Sequence, residues 1–170
     1  KYIESFVSGK IGNYFVFVPS YDYLEKLTSY YDFSKYNIFV QEREMSEQEK
    51  QLFLLNFQNN PEQTSIGFVV IGGAFGEGID LVSDRLIGAV VIGIGLPRIN
   101  FMSDQIKDYY NSNDLPGYAY AYLNPGMNKV MQAIGRVIRS ETDRGAVLLI
   151  DERYMNRNYR DLFLEDDKKY

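Results

Sequence analysis

Five short segments of mostly apolar residues punctuate the chain, and helical spacing fills the stretches between them. The segments are rich in β-branched and aromatic residues without strict alternation, which is typical of strands buried on both faces. They span residues 14–18, 37–40, 65–71, 86–94 and 146–150. Helices are predicted at 1–9, 20–31, 46–58, 103–111, 127–139 and 159–164. Two of them have start signals, with Ser20 or Asp22 as an N-cap and Ser46 with Glu49 as a capping box.

This order of elements predicts an α/β fold in which a parallel sheet of about five or more strands carries helices on both faces. Ligand sites in such sheets lie at the carboxyl ends of the strands. Three unusual stretches follow strands in this way: Pro19-Ser20-Tyr21, the glycine-rich residues 72–78, and Gly95-Leu96-Pro97-Arg98. Residues 97–124 match no motif and are predicted to be an insertion within a single domain.

The composition narrows the chemistry. Cys and His are both absent from the 170 residues, which removes disulfides, Cys-based metal or Fe–S sites, the usual zinc ligands and any mechanism with a His base. The net charge of −5 argues against an autonomous nucleic-acid binder. A local positive patch is still expected, because six arginines crowd the last quarter of the chain: Arg136, Arg139, Arg144, Arg153, Arg157 and Arg160.

The sequence also bears on context. It contains no apolar run of membrane-spanning length and no recognisable signal peptide, so a cytoplasmic location is expected. It begins without Met inside a predicted helix, which favours a fragment of a larger protein.

The glycine-rich loop is a candidate nucleotide site. Four glycines within residues 72–78 leave backbone amides accessible. The pattern G-x-x-x-x-G-K-[ST] occurs nowhere in the sequence, so the loop would complete a site built by another domain. Asp80 is placed to accept a hydrogen bond from a ribose or an Arg. Alternatively, the loop is a plain connection, and Glu77 and Asp80 only favour a helix start.

The stretch 132–153 holds the most specific pattern. Gln132, Arg136 and Arg139 are spaced i, i+4 and i+7, so a helix presents them on one face. The opposite face is apolar and consists of Val130, Ala133, Ile134, Val137 and Ile138. Guanidinium groups suit phosphate oxygens bidentately, so the polar face is a candidate phosphate site. The alternative is an ordinary solvated helix face.

Other candidates are weaker. Ser20 and Tyr21 are candidates to contact a phosphate backbone through hydroxyl and amide, although helix capping explains Ser20 equally well. Five tyrosines are candidates for stacking on bases, with no single one favoured: Tyr109, Tyr110, Tyr118, Tyr120 and Tyr122. The acidic pairs 151–152 and 166–167 are adjacent in sequence, so they do not share a face and do not resemble a hydrolytic carboxylate pair.

Three stretches resemble motifs of superfamily 2 DNA helicases of the DinG/XPD type. YFVFVPSYDYLEKL resembles motif IV, GGAFGEGIDL resembles motif V, and QAIGRVIRSETDRG with the following VLLIDER resembles motif VI. VIGIGLP and YLNPGMNKVMQAIGR are similar, in the same order, to segments of bacterial DinG-type members. The resemblance covers nearly the whole chain, with one departure: relatives of the XPD type carry Ser where Gly76 stands.

The resemblance implies a second RecA-like domain, the C-terminal motor lobe of an ATP-dependent DNA helicase. ATP and Mg²⁺ would bind mainly to an absent first lobe, which would also hold any Fe–S cluster, and this chain would hold no metal. Arg139 would be the arginine finger that reaches the γ-phosphate. Arg136 would support the same charge or tie motif VI to motif V, and Gln132 would position the γ-phosphate or the attacking water. Three further residues would line the nucleotide: Gly78, Asp80 and Gly135.

The resemblance also implies partners, namely single-stranded DNA and the N-terminal helicase lobe of the same chain, without a membrane. Four residues would serve the single strand: Ser20, Tyr21, Gly76 and Glu77. Glu77 and Asp80 would couple nucleotide to DNA, and the isolated fragment would be inactive. Two alternatives stay open: a non-catalytic RecA-like module that binds nucleic acid or protein, and a helicase linked to an upstream nuclease.

Overall fold

A computed structural model describes residues 1–75, 85–138 and 144–166 of the chain. Within these residues, five parallel strands form one sheet in the order β2-β3-β1-β4-β5. The strands are β1 (Asn13–Val18), β2 (Asn37–Val40), β3 (Ser65–Val70), β4 (Gly88–Ile92) and β5 (Ala146–Ile150). All five strands predicted from the sequence are therefore confirmed, as is the parallel α/β class.

Six α-helices accompany the sheet in the described part of the chain: α1 (Tyr2–Val7), α2 (Tyr21–Tyr30), α3 (Glu47–Leu55), α4 (Phe101–Ser112), α5 (Asn124–Ile134) and α6 (Arg157–Asp166). A π-helical turn, Ala119–Leu123, leads directly into α5, and a 3₁₀ turn, Glu152–Met155, follows β5. The helices among the described residues are too short or too polar for any of them to cross a membrane.

Both faces of the sheet are buried, each by its own hydrophobic cluster. Successive side chains of a strand point to opposite faces, so Phe15 and Phe17 of β1 enter one cluster, whereas Val16 and Val18 enter the other. The first cluster contains residues of α3 and α5, and the second contains residues of α1 and α2. This double burial explains why the strand segments lack alternating polar positions.

The predicted helix starts are confirmed at two sites. Ser20 Oγ accepts the N–H of Tyr23 at 3.2 Å and caps α2. Ser46 and Glu49 form the capping box of α3, in which the Glu49 carboxylate accepts the backbone N–H of Ser46 at 2.7 Å. The predicted start of α4 was late, because Asn100 caps this helix by accepting the N–H of Ser103 at 2.9 Å.

The predicted bounds of the motif VI helix, 127–139, are wrong at both ends. At the first end, α5 begins at Asn124, directly after the π-helical turn and three residues earlier than predicted. At the other end α5 stops at Ile134, with Gly135 as the C-cap residue. The next turn is tightened, since the N–H of Val137 bonds the carbonyl of Ile134 three residues earlier, at 2.9 Å. This turn buries Val137 against Gly145, whereas Ile138, predicted on the apolar face, is 43% exposed.

Candidate functional site

The carboxyl ends of the parallel strands meet at one edge of the sheet, which we call the carboxyl edge. Ser20 and Tyr21 follow β1 there, Gln41 follows β2, and Gly72 follows β3. The pairing of Val18 with Val70 puts the exits of β1 and β3 side by side. The structure therefore brings the start of the motif IV helix and the start of the glycine-rich loop to the same edge.

The Ser20 hydroxyl caps α2 as an acceptor and still has its O–H to donate. The cap uses a lone pair of its hydroxyl oxygen, which accepts the N–H of Tyr23. A serine hydroxyl also has one O–H donor, and this donor is not consumed by the cap. Capping and a phosphate contact are therefore compatible at Ser20, and the phosphate contact stays a prediction.

The hydroxyl of Tyr21 is engaged within the chain. It accepts a hydrogen bond from Gln41 Nε2 at 2.8 Å and lies 3.3 Å from the carbonyl oxygen of Glu42, to which it donates. Burial raises the pKa of Tyr21, although the positive charges of Arg43 and Lys50 act in the opposite direction, so the phenol is neutral at physiological pH. A phosphate contact by Tyr21 would thus come from its backbone amide rather than its hydroxyl.

Arg43 is a neighbour of Tyr21 that the sequence pattern did not single out. Its guanidinium lies 5.0 Å from the centroid of the Tyr21 ring and bonds Asp22 at 2.7 Å and Glu25 at 3.2 Å. The hydrogen bond from Arg43 lowers the pKa of Asp22. Arg43 thereby balances the two acidic side chains in the first half of α2, beside the predicted nucleic-acid contact.

The glycine-rich loop starts with a turn that only glycine adopts readily. Gly72 has φ +66°, and the N–H of Gly73 bonds the carbonyl of Val70 at 3.0 Å. Phe75 is fully buried, with its ring centroid 4.6 Å from that of Phe53 on α3. The four site residues predicted beyond it, Gly76, Glu77, Gly78 and Asp80, lie outside the described residues.

Helix α5 lies on the face of the sheet that the first hydrophobic cluster covers, and it runs from the carboxyl edge toward the opposite edge. Near its start, Gly126 lies against the loop after β4, since a Cβ there would lie 3.1 Å from the carbonyl oxygen of Ile94. Midway along α5, the Lys129 side chain lies over the loop after β3, since a Cβ on Gly72 would lie 2.7 Å from Lys129 Cδ. At its end, Val137 packs against Gly145, the residue just before β5. Val137, in the described part of motif VI, therefore lies at the opposite, amino edge of the sheet, although the sequence rule led us to expect sites at the carboxyl edge.

The predicted motif VI residues fall along the second half of this helix. Gln132 is exposed on α5, Gly135 is its exposed cap, and Arg136 is half-buried in the tightened turn that follows. The amide of Arg136 bonds the carbonyl of Ala133 at 3.2 Å, so its backbone is fixed. Arg139 lies outside the described residues.

Lys129 is a cation that the sequence reading missed. It lies three residues before Gln132 and seven before Arg136, so the three share one side of the helical path. Its Nζ donates to the carbonyl of Gly95 at 3.3 Å, which links α5 to the loop after β4. The i, i+3, i+7 spacing was readable in the sequence and points to a longer polar stripe than the one predicted.

The residues that follow β5 are held by an ion pair and a buried hydrogen bond. Arg153 donates to both carboxylate oxygens of Asp151, at 2.8 and 2.7 Å, and lowers the pKa of Asp151. Tyr154 donates its hydroxyl to the carbonyl of Gly93 at 2.6 Å, and burial raises the pKa of this phenol. Asp151 is therefore held ionised by a partner, which does not favour a role as a hydrolytic acid.

The predicted insertion holds several of its tyrosines against one another. Tyr110 and Tyr120 stack with centroids 4.1 Å apart and 11° between planes. Tyr122 donates its hydroxyl to Asp104 at 3.0 Å. Base stacking by these rings would have to displace contacts that they already make.

A comparison with protein families decides the assignment. The model of the helicase C-terminal domain matches residues 3–169 of the chain. The chain belongs to the helicase C-terminal domain family.

Relatives of this helicase C-terminal domain include much longer proteins. The ATP-dependent DNA helicase chl-1 of Caenorhabditis elegans is 33% identical over 160 residues, which cover 85% of the chain and 18% of the relative. The ATP-dependent DNA helicase DinG of Photobacterium profundum is 27% identical over 134 residues, covering 78% and 19%. The chain thus spans about a fifth of the length of the relatives it matches.

Solved structures share the fold of this helicase C-terminal domain. The apo structure of XPD superposes with a TM-score of 0.74 over 96% of the chain and 33% of the XPD chain, at 20% sequence identity. This likeness confirms the RecA-like sheet predicted from the motif resemblance.

The donor set of this helicase C-terminal domain fits phosphate. Gln132 on α5 and Arg136 in the turn after it supply an amide and a guanidinium, and guanidinium groups are phosphate ligands. A magnesium site needs carboxylate and carbonyl oxygens instead. Among the described residues there is no group of three or more Asp, Glu, His or Cys side chains that could hold a metal.

Proposed function

We propose that this chain is the C-terminal motor lobe of an ATP-dependent DNA helicase. It would supply motifs IV, V and VI to an ATP site shared with an N-terminal lobe, and part of a track for single-stranded DNA. The full protein would hydrolyse ATP to move along DNA. The names of the chl-1 and DinG relatives, both ATP-dependent DNA helicases, support this assignment.

The observation that carries the proposal is the path of α5. Its start, at Gly126, lies at the carboxyl edge beside the loop that follows β4, and the Lys129 side chain lies against Gly72 after β3. The turn that holds Arg136 follows the other end of the helix, toward the amino edge. Ser20 and Tyr21 are also at the carboxyl edge. DNA would therefore bind at the carboxyl edge, through Ser20, Tyr21, Gly76 and Glu77, and the nucleotide would bind near the tip of motif VI.

In this arrangement the nucleotide meets one end of the motif VI segment. Arg139 would reach the γ-phosphate as the arginine finger, with Arg136 supporting it and Gln132 positioning the γ-phosphate or the attacking water. Gly78, Asp80 and Gly135 would line the same nucleotide. When bound, ATP and Mg²⁺ supply the phosphoryl group and its charge neutralisation, mainly from the N-terminal lobe, and an Fe–S cluster, if present, would belong to that region too.

The glycine-rich segment supports a coupling role. It leaves the carboxyl edge at Gly72, and the chain is next described at Arg85, whose carbonyl accepts a hydrogen bond from Asn13 at the start of β1. Gly72 and Arg85, the described residues that flank the undescribed part, therefore lie at opposite edges of the sheet. Glu77 and Asp80, between these residues, would transmit the nucleotide state to the DNA track.

The test uses the full-length protein that contains this chain. Arg139→Ala should lower its DNA-stimulated ATP turnover by about 10³-fold or more, as for arginine fingers in general. Arg157→Ala is the matched control, because Arg157 is 90% exposed and bonds only Asp161 on its own helix among the contacts described. Its turnover should equal that of the unchanged protein.

Two results would count against the proposal. Unchanged turnover in Arg139→Ala would overturn the assignment of the arginine finger. Absence of any ATP hydrolysis in the full-length protein, with DNA binding retained, would instead indicate a non-catalytic RecA-like module.

A further inference from the structure

Gln41 is a buried amide that joins three strand exits at the carboxyl edge. It is 3% exposed and follows the last residue of β2. Its backbone N–H bonds the carbonyl of Phe68 on β3 at 2.9 Å. Its side chain reaches two further elements: Nε2 donates to the hydroxyl of Tyr21 after β1, and Oε1 accepts the N–H of Val70 at the end of β3, both at 2.8 Å.

The side chain of Gln41 continues the hydrogen bonding between β2 and β3 beyond the end of β2. The ladder between β2 and β3 pairs Val40 with Phe68 and then stops. Beyond this last pair, the backbone N–H of Val70 on β3 donates to the Gln41 side chain. A buried amide with both ends bonded fixes a single geometry, because any other orientation would leave a buried polar group unsatisfied.

Gln41 ties together the start of α2, which the proposed function assigns to DNA, and the start of the glycine-rich loop, which it assigns to both DNA and the nucleotide. Tyr21 begins α2, at the predicted contact with the single strand. Val70 lies two residues before Gly72, where the glycine-rich loop turns away from the sheet. Gly73 is also close, since a Cβ there would lie 3.4 Å from Gln41 Nε2.

We propose that Gln41 is a positioning residue that holds the start of the motif IV helix in register with the start of the motif V loop. Through this register, DNA binding at Tyr21 changes the position of the loop that serves the nucleotide. Gln41 itself touches neither ligand. The inference rests on the proposed function, because it assumes that motifs IV and V serve DNA and nucleotide.

The chain offers a matched control at the opposite edge. Asn13, 1% exposed, is also a buried amide, and its Nδ2 donates to the carbonyls of Gln58 at 2.8 Å and Arg85 at 2.7 Å. It lies at the amino end of β1, away from Tyr21 and Val70. Gln41→Met and Asn13→Leu each replace a buried amide by an apolar side chain of similar size, so both should lower the melting temperature.

The experiment measures coupling rather than stability. In the full-length protein, ATP turnover is compared at saturating oligo(dT) and without DNA, and the ratio of the two is the readout. We expect Gln41→Met to lower this ratio about fivefold or more, at the low end of typical coupling between sites, while turnover without DNA is retained. Asn13→Leu should leave the ratio unchanged.

A second variant tests the same link without removing the buried amide. Tyr21→Phe deletes only the hydroxyl that Gln41 donates to, so it should lower the ratio as well. The double variant should be no worse than Gln41→Met alone, since both changes break one connection.

Three results would overturn the inference, and a fourth would overturn the proposed function on which it rests. An equal loss of the ratio in Asn13→Leu would mean that Gln41 acts only through stability. Fully multiplicative effects of Gln41→Met and Tyr21→Phe would mean that the two residues act separately. An unchanged ratio in both variants would mean that neither residue carries the coupling. A full-length protein without DNA-stimulated turnover would overturn the proposed function itself, and that failure is recognised in the unchanged protein.

Discussion

At the scale of single residues, the pair of Asp151 and Arg153 makes part of the stability dependent on pH. The guanidinium of Arg153 donates two hydrogen bonds to the carboxylate, whose side chain is only 13% exposed. This contact lowers the pKa of Asp151 below that of an unfolded Asp. A lowered folded-state pKa stabilises the fold at pH values above about 4, and this contribution is lost as the pH falls through the folded-state value.

Asp151→Asn should therefore lower the free energy of unfolding at pH 7 by about 1 kcal/mol, a modest value because Arg153 is partly exposed to solvent. The difference between variant and unchanged chain should shrink as the pH is lowered from about 5 to 3. Urea unfolding of the 170-residue chain at several pH values measures it. A difference that stays constant over this range would contradict the assignment of the ion pair as its source.

Single residues also show what the sequence could and could not reveal. The cap at Ser20 was readable, because Ser before an apolar-periodic segment is a local signal. Gln41 was not, since one Gln after a strand has no pattern and its partners are 20 and 29 residues away. Lys129 was readable from its spacing to Gln132 and Arg136, but only with the polar stripe extended backward.

At the scale of elements, α3 links a capping signal to the glycine-rich loop. The capping box of Ser46 and Glu49 fixes the start of the helix, and Phe53 near its end packs on Phe75 in that loop. Phe53 also contacts the rings of Phe15 and Phe57 in the first hydrophobic cluster. Fraying of α3 would thus weaken the packing of Phe53 on Phe75 in the loop.

Ser46→Ala should lower the stability of the chain by about 1 kcal/mol, the usual effect of losing a Ser cap. For a domain of this size that corresponds to about 2–4 °C in melting temperature. Ser29→Ala is the control, because Ser29 donates only to the carbonyl of Lys26 near the end of α2 and caps no helix start among the described contacts. Circular dichroism melting curves compare the two, and equal shifts would mean that the capping box has no special weight.

The strands were more predictable than the helix ends for a physical reason. The bounds 37–40 and 146–150 agree with β2 and β5, because short apolar segments between polar breaks are local features. The end of α5 was not predictable, since Val137 and Ile138 continue the apolar period of the helix. Val137 instead lies in the tightened turn after the Gly135 cap and packs against Gly145, a contact that forms only when β5 joins the sheet.

At the scale of the whole molecule, the positive and negative side chains are unevenly distributed. The net charge is −5, yet Lys129 on α5 and Arg136 in the turn after it place two cations along one path from the carboxyl edge toward the amino edge. A local positive stripe on an acidic body binds phosphate where it is and repels polyanions elsewhere. DNA affinity of the chain by itself should accordingly be weak and should depend strongly on salt.

The absence of a P-loop pattern from the sequence leads to the last prediction. Under the proposed function, Arg136, Arg139 and Gln132 would supply one wall of the ATP site, and the groups that cradle the triphosphate would belong to another lobe. The purified 170-residue chain should therefore be folded by circular dichroism, yet hydrolyse ATP no faster than buffer, with or without DNA. The full-length protein, measured in the same phosphate-release assay, should be active. If the isolated chain hydrolysed ATP at a rate that Arg139→Ala abolished, the site would be complete within this chain, and the proposed division between two lobes would be wrong.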